Sequence, residues 1–162
     1  MVTDLNDTSW IPDDLYRQII NVMPIPCVDL IVEDSKGRIL MLKRKNEPAK
    51  GQWWLPGGRI HFGEKRIEAA RRKLKDECGL ESNSLSEMGT FDIIYPHKIG
   101  QSFASHGIST VFIVEVMSNM IRADYKQSVG IKWDTNVYWL GLIADKNLRS
   151  ILTIYAEKRY HI

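Results

Sequence analysis

A glycine-rich turn followed by a charged helical run carries the residues best suited to chemistry. Gly57 and Gly58 form the turn, and the run that ends at Gly79 carries the acidic pair Asp76 and Glu77. Mg²⁺ prefers oxygen ligands and keeps several waters, so one or two carboxylates with substrate phosphates suffice to hold it. Because glycine has no side chain, the backbone of this turn can bring a carbonyl oxygen close to the ion. The stretch is therefore suited to holding a divalent metal against a phosphate.

The helical run has two distinct faces when it is placed at about 100° per residue. The apolar face, which should pack on a sheet, consists of Ile67, Ala70, Leu74 and Cys78. Lys73, Asp76 and Glu77 share a second face. Arg59, next to the turn, could reach a phosphate because a guanidinium presents paired donors. An ordinary amphipathic surface helix with solvated charges would have the same composition. The fixed spacing between the glycine turn and the acidic residues is what favours a metal- and phosphate-binding role.

The elements around this stretch predict an α+β fold with a mixed β-sheet. A helix should begin near residues 11–14 and end before Pro24, and Asp145 should cap a C-terminal helix. Strands are predicted at residues 27–32, 38–44, 53–56, 86–95, 108–116 and 136–140, with loops at 96–106 and, for the most part, 120–133. This order favours a sandwich with helices outside the sheet.

Size and composition indicate one soluble domain at residues 1–162, of which residues 1–10 form a flexible arm. The 162 residues are 44% hydrophobic and 26% charged, which is ordinary for a globular protein. The net charge of +2 is too balanced to favour nucleic acid as a partner. Cys27 and Cys78 are expected to be unpaired and reduced. A polar N-terminus and the lack of an apolar run of about 20 residues predict a cytoplasmic chain without a membrane span.

The central spacing resembles the Nudix box, which reads Gly, five residues, Glu, seven residues, then Arg-Glu-apolar-any-Glu-Glu-any-Gly-apolar. The matching positions are Gly58, Glu64, Arg72, Lys73, Leu74, Asp76, Glu77, Gly79 and Leu80. The resemblance implies an α/β/α sandwich that uses Mg²⁺, or Mn²⁺, to cleave a nucleoside diphosphate linked to another moiety. Lys73 replaces a metal-binding Glu of the pattern, and Asp76 replaces a second Glu. The site therefore binds fewer metals than most relatives or is impaired.

Residues 26–59 look like the GDP-mannose mannosyl hydrolase branch of that family. The shared features are an Asp in the first strand, an Arg-any-Asn-any-Pro-Ala loop and an Arg after the double Gly. The resemblance implies a homodimer that hydrolyses GDP-mannose or GDP-glucose by displacement at the anomeric carbon. It places Gly57, Asp76 and Glu77 at the metal. It places Arg44 and Arg59 at the leaving diphosphate.

Asp29 interrupts an otherwise apolar strand, so it either lies at a pocket mouth or makes a structural hydrogen bond. The branch implies that it contacts the sugar or the base, and His106 is a second candidate for substrate contact. The branch also uses a Gln-His pair on a late loop, whereas residues 129–136 contain no His. Asp134 or Asp124 could serve as the general base, and we predict Asp134.

Two other functions fit the same residues. The first keeps the fold but attacks phosphorus, on ADP-ribose or another nucleoside diphosphate derivative. The second is a nucleotide-sugar-binding module without catalysis, which Lys73 and the missing His would explain.

Overall fold

The computed structural model describes residues 10–46, 50–95, 105–117 and 128–161. The predicted arm at residues 1–10 lies outside these ranges except for Trp10. Within them the chain forms four helices and seven strands. In chain order these are α1 (Asp13–Val22), β1 (Ile25–Asp34), β2 (Ile39–Arg44), β3 (Trp53–Trp54), β4 (Gly57–Arg59), α2 (Arg66–Cys78), β5 (Ser84–Tyr95), β6 (Ser105–Val116), β7 (Ser128–Asp134), α3 (Asn136–Leu142) and α4 (Lys146–Tyr160).

The strands form one mixed sheet around β1. The order is β3-β2-β1-β6-β5, with β4 also pairing with β1 and β7 pairing with β2. Only the pair of β1 with β6 is parallel among the described strands, and Ile31 lies opposite Ile113 in it. A turn at residues 35–38 connects β1 to the antiparallel β2, as predicted for a hairpin.

Helices cover both faces of the sheet. Leu30 and Val32 of β1 belong to a core cluster with Ala70 and Leu74 of α2. Ile31, which points to the opposite face, belongs to a second cluster with Trp139 of α3 and residues of α4. Burial on both faces explains why β1 is a nearly continuous apolar run. The predicted α/β/α sandwich with a mixed sheet is confirmed.

Local signals explain where α2 begins and ends. The Glu68 carboxylate accepts a hydrogen bond from the backbone N–H of Lys65 at 3.0 Å, which satisfies a donor at the helix start. Gly79 ends the helix with φ at 65°, a conformation that glycine adopts without steric cost. Among the described helices, none combines the length and the apolar character that a membrane crossing requires.

Two sequence predictions were wrong near the C-terminus. Residues 136–140 were predicted as a strand from their β-branched and aromatic side chains, but they begin α3. Thr135 caps this helix by accepting a hydrogen bond from Tyr138 N at 3.2 Å. Asn136, Trp139 and Ile143 are buried, which is a helical spacing, whereas Val137 is 80% exposed.

The second error concerns β7, because residues 128–133 were predicted to be mostly loop. They pair with β2, and Leu42 lies opposite Ile131. Val129, Ile131 and Trp133 alternate with polar residues or glycine along the strand, which is a period-two strand pattern that the prediction overlooked. Residues 120–127 of the predicted loop lie outside the described ranges. The same holds for residues 96–104 of the other predicted loop, whereas Ser105 and His106 begin β6.

Candidate active site

A cavity of about 310 Å³ is lined by residues from α1, α2 and all seven described strands. Its charged lining residues include Arg44, Arg59, Lys73, Asp29 and Glu77. Its apolar and aromatic lining residues include Tyr16, Ile20, Ile25, Ile93 and Tyr95. The cavity can therefore receive a ligand with an anionic part and a flat or apolar part.

A buried ion pair on α2 lies against the glycine turn. Lys73 and Glu77 are one helical turn apart, and the Lys73 Nζ lies 2.6 Å from Glu77 Oε1. The other carboxylate oxygen, Oε2, accepts a hydrogen bond from Gly57 N at 3.0 Å. A Cβ atom on Gly58 would lie 3.0 Å from Lys73 Cε, so the tip of the lysine packs directly on the turn. These contacts fix the ammonium between the turn and the helix.

Asp29 lies beside the same turn, because β4 pairs with β1 and sets Asp29 opposite Gly57. A Cβ on Gly57 would lie 2.5 Å from Asp29 Oδ1, so only glycine fits this position. The carboxylate accepts hydrogen bonds from Ser109 Oγ at 2.5 Å and from Trp54 Nε1 at 3.3 Å. Burial raises the pKa of Asp29 to about 6, although both hydrogen bonds act to lower it. Asp29 therefore both lines the cavity and makes structural hydrogen bonds.

An ion pair holds the loop that carries Arg59. Arg72 donates to Glu64 from Nε at 2.6 Å and from Nη2 at 2.8 Å, and Nη2 also donates to the carbonyl of Arg59 at 3.1 Å. Glu64 further accepts a hydrogen bond from His61 N. The hydrogen bonds from Arg72 lower the pKa of Glu64 to about 2. This bidentate ion pair positions the loop, so Glu64 has a structural role.

The described side chains do not fit a divalent ion in this arrangement. Both oxygens of Glu77 already accept, one from the Lys73 ammonium and one from Gly57. The Asp76 side chain is 57% exposed and lies 4.0 Å from Arg72, apart from Glu77. Within the described ranges, no three His, Cys, Asp or Glu residues are arranged to hold a metal. The metal roles of Gly57, Asp76 and Glu77 stay predictions.

The structure brings most of the other predicted residues together. Arg44, Arg59, Asp29 and His106 all line the cavity, and His106 Nε2 is hydrogen-bonded to Asp92 at 2.9 Å. Their chemical roles stay predictions.

Asp134 is the exception. It lies opposite Ile39 at the start of β2, whereas Arg44 ends that strand. At about 3.3 Å per residue, the two positions are roughly 17 Å apart. Asp134 instead forms an ion pair with Lys132 at 3.2 Å. Asp124, the other candidate base, lies outside the described residues.

Sequence reasoning missed several contributors to the cavity, among them Ser109, Tyr16 and Ile20. Ser109 is a polar residue in an apolar strand, the same signal that pointed to Asp29, and it is fully buried against that carboxylate. Tyr16 and Ile20 are spaced for one face of α1, so their helical period could have shown that they point inward.

Neither cysteine supplies a nucleophile at neutral pH. Cys27 and Cys78 are unpaired thiols, as expected. Burial raises the pKa of each to about 12, so both remain protonated.

Comparison with known proteins places this site in a family. The model of the NUDIX domain matches residues 23–135. The low-salt glycan biosynthesis protein Agl8 of Haloferax volcanii is 32% identical over 122 residues, which cover 75% of this chain and 78% of that protein. The ADP-ribose pyrophosphatase of Methanocaldococcus jannaschii is 36% identical over 110 residues, which cover 68% of this chain and 62% of that enzyme. The chain thus spans less than two thirds of the second relative.

Solved structures show the same fold. The MutT protein from Methanosarcina mazei Go1 superposes with a TM-score of 0.72 at 20% identity, over 85% of this chain and 97% of that one. The NUDIX domain of Shewanella oneidensis NrtR, solved with ADP ribose, gives a TM-score of 0.70 at 14% identity, over 92% of this chain and 99% of that one. The box spacing, the sandwich and the match of the family model over more than half of the chain agree, and the chain belongs to the Nudix hydrolase family.

Proposed function

We propose that this Nudix hydrolase cleaves a nucleotide sugar, GDP-mannose or GDP-glucose, by displacement at the anomeric carbon. The observation that carries the proposal is that one cavity is lined both by cationic side chains and by aromatic ones. The diphosphate of a nucleotide sugar is anionic, and its base is flat. Arg44, Arg59 and Lys73 suit the diphosphate, while Tyr16 and Tyr95 suit the base.

The cationic side chains also suit the leaving group. When water attacks the anomeric carbon, its oxygen bonds to that carbon and the diphosphate leaves with the electron pair of the broken C–O bond. Negative charge therefore grows on the diphosphate, and fixed cations that meet it there can lower the barrier by a few kcal/mol. Arg44 and Arg59 have this role in the proposal. The loop anchored by Glu64 and Arg72 holds Arg59 ready for it.

A carboxylate must take the place of the missing histidine base. Asp134 lies at the wrong end of β2 for that role. Asp29 lines the cavity beside Gly57, and its partners Ser109 and Trp54 hold it in one orientation. We assign Asp29 to the sugar and to the attacking water, whose proton it would accept.

The relatives support the substrate class in different ways. The Haloferax protein is named for glycan biosynthesis, a process that draws on activated sugars. The Methanocaldococcus enzyme is named for ADP-ribose, which favours a second candidate function, attack at phosphorus in ADP-ribose. The same cavity would then hold the two phosphates against the arginines and the adenine against the tyrosines.

An isotope experiment separates these functions. The protein is incubated with GDP-mannose, GDP-glucose or ADP-ribose in ¹⁸O-water, and the products are analysed by mass spectrometry. Label in the released sugar supports attack at carbon, whereas label in a phosphate product refutes it. Binding of the nucleotide sugars without any turnover would support the third alternative, a nucleotide-sugar-binding module without catalysis.

Nudix hydrolases generally use divalent metal ions. Mg²⁺, or Mn²⁺, is the ion that the resemblance predicts here, with Glu77 as a ligand, and it would supply positive charge at the diphosphate. Lys73 already holds Glu77, and the roles of Arg44, Arg59 and Asp29 given above do not depend on the ion. The predicted homodimer belongs to the same proposal, and light scattering coupled to size-exclusion chromatography tests it.

A further inference from the structure

The Lys73 ammonium is paired with Glu77, the carboxylate that the family resemblance assigns to a metal. Lys73 is 8% exposed and Glu77 is 6% exposed, so this ion pair is largely shielded from water. The ammonium lies 2.6 Å from Glu77 Oε1, and the lysine tip packs on Gly58. A buried carboxylate requires a cationic or hydrogen-bonding partner, and here the chain itself supplies one.

A divalent ion would compete with this lysine at the same oxygen. To reach Glu77 Oε1, it would have to displace the ammonium or lie beside it, where two like charges would repel each other at short range. The other oxygen already accepts from Gly57 N at 3.0 Å. Asp76 does not add a second carboxylate at this point, since its side chain is 57% exposed. The ammonium is therefore the cation that these residues are built to hold.

Lys73 also lines the cavity. Arg44 and Arg59 line it as well, and the carboxylates among its lining residues are Asp29 and Glu77. Lysine and arginine side chains therefore outnumber carboxylates in the lining. A diphosphate brings at least two negative charges, which such a lining attracts without an added ion.

We infer that Lys73 is a built-in cation that substitutes for a divalent ion, so that the diphosphate of the substrate binds without metal. The inference deepens the proposed function, on which it rests for the identity of the ligand. It assigns Lys73 to contact with the diphosphate, and it assigns Glu77 to holding the lysine rather than a metal.

Two measurements on the unmodified protein test the inference without a nucleotide. Inorganic pyrophosphate is titrated by calorimetry in EDTA and again in excess Mg²⁺, and Mn²⁺ alone is titrated by electron paramagnetic resonance. We expect pyrophosphate to bind in EDTA, with Mg²⁺ raising the affinity by less than about threefold. We also expect the free protein to bind no Mn²⁺ tightly. An affinity at least about tenfold higher with Mg²⁺, or one tightly bound Mn²⁺ per chain, overturns the inference.

Two substitutions at Lys73 test the residue itself. Lys73→Gln removes the charge, and we expect it to weaken pyrophosphate binding in EDTA by about tenfold or more. Lys73→Glu places a second carboxylate beside Glu77, and we expect this variant to gain a Mn²⁺ site. Its melting temperature should then rise by about 5 °C in saturating Mn²⁺, because only the folded state binds the ion.

Lys75 provides the matched control on the same helix. Its side chain is 69% exposed and pairs with Glu81 at 3.0 Å, outside the cavity. Lys75→Gln and Lys75→Glu make the same charge changes and should alter neither pyrophosphate nor Mn²⁺ binding. Equal effects at both positions would show a nonspecific charge effect and refute a role for Lys73.

These tests do not depend on the substrate. If Lys73→Glu does not fold, the two titrations of the unmodified protein and Lys73→Gln still decide the question. If GDP-mannose is not hydrolysed but pyrophosphate binds in EDTA, the proposed substrate is wrong and the built-in cation stands. If hydrolysis occurs but pyrophosphate binding requires Mg²⁺, the inference about Lys73 is wrong and the proposed function stands.

Discussion

Replacing Asp29 with asparagine should make the protein more stable at neutral pH and less active. Asp29 is 6% exposed, and its burial raises the pKa of the carboxyl from 3.8 to about 6. The native state therefore holds this proton more tightly than the unfolded state does. The contribution of Asp29 to the free energy of unfolding is therefore greatest below the unfolded pKa near 4 and is lost as pH rises through 6. This difference in pKa between the native and unfolded states lowers the free energy of unfolding by about 3 kcal/mol at pH 7.

Asparagine has nearly the same shape but cannot ionise, so this penalty should disappear. The gain at pH 7 will be smaller than about 3 kcal/mol, because hydrogen bonds from Ser109 and Trp54 to a charged oxygen are stronger than those to an amide. We expect the free energy of unfolding of Asp29→Asn to exceed that of the unmodified protein by about 1–2 kcal/mol at pH 7. At pH 4, where the native carboxyl is protonated, the two should be nearly equal.

Urea denaturation at pH 4, 5, 6 and 7 measures this difference in the free energy of unfolding. Asp14→Asn, at an exposed position in the first turn of α1, controls for the loss of one negative charge. A difference between Asp29→Asn and the unmodified protein that does not change between pH 4 and 7 would refute the burial argument. Hydrolysis is measured on the same samples, and full activity of Asp29→Asn would remove Asp29 from the substrate site.

Three further changes test other parts of the structure. Glu77→Gln should lower turnover of the nucleotide sugar by about 100-fold, because it removes the negative charge that holds the Lys73 ammonium at the cavity. Near-normal rates in a folded variant would exclude Glu77 from the site. Arg72 lowers the pKa of Glu64, so this pair should add about 1–2 kcal/mol to the free energy of unfolding above pH 4.5, and this contribution should be lost as pH falls towards 2. In urea denaturation, Arg72→Ala should lack this pH-dependent contribution. A pH profile identical to that of the unmodified protein would contradict the argument. Trp139→Ala should lower the free energy of unfolding by about 3–5 kcal/mol, since the ring is fully buried and donates to Ile39 O, whereas Val137→Ala on the exposed face of α3 should change it by less than about 0.5 kcal/mol.

The sequence was most informative where the signal was local. The end of α2 at Gly79, the turn between β1 and β2 and the cap of α4 by Asp145 each depend on a few adjacent residues, and each was predicted. Glu64 and Arg72 are both positions of the box, and the structure joins them in an ion pair.

Elements that depend on distant partners were predicted less well. The aromatic run at the start of α3 has strand propensity, but Thr135 and the burial of Trp139 make it a helix. The alternating residues of β7 indicate a strand, but its pairing with β2, which is distant in sequence, could not be seen in that pattern. Pairing at that register also places Asp134 at the end of the sheet away from Arg44, which no local pattern could have shown.

The sequence by itself determined the family, the sandwich and the fact that a lysine interrupts the acidic face of the box. Only the tertiary structure decided what that lysine does. On an isolated helix Lys73 would be a solvated charge with little effect, since water screens it. Packing of α2 against the Gly57-Gly58 turn removes that water and fixes the ammonium on Glu77 at 2.6 Å. The same pairing of distant strands brings Ser109 to Asp29 across 80 residues of sequence and orients that carboxylate in the cavity.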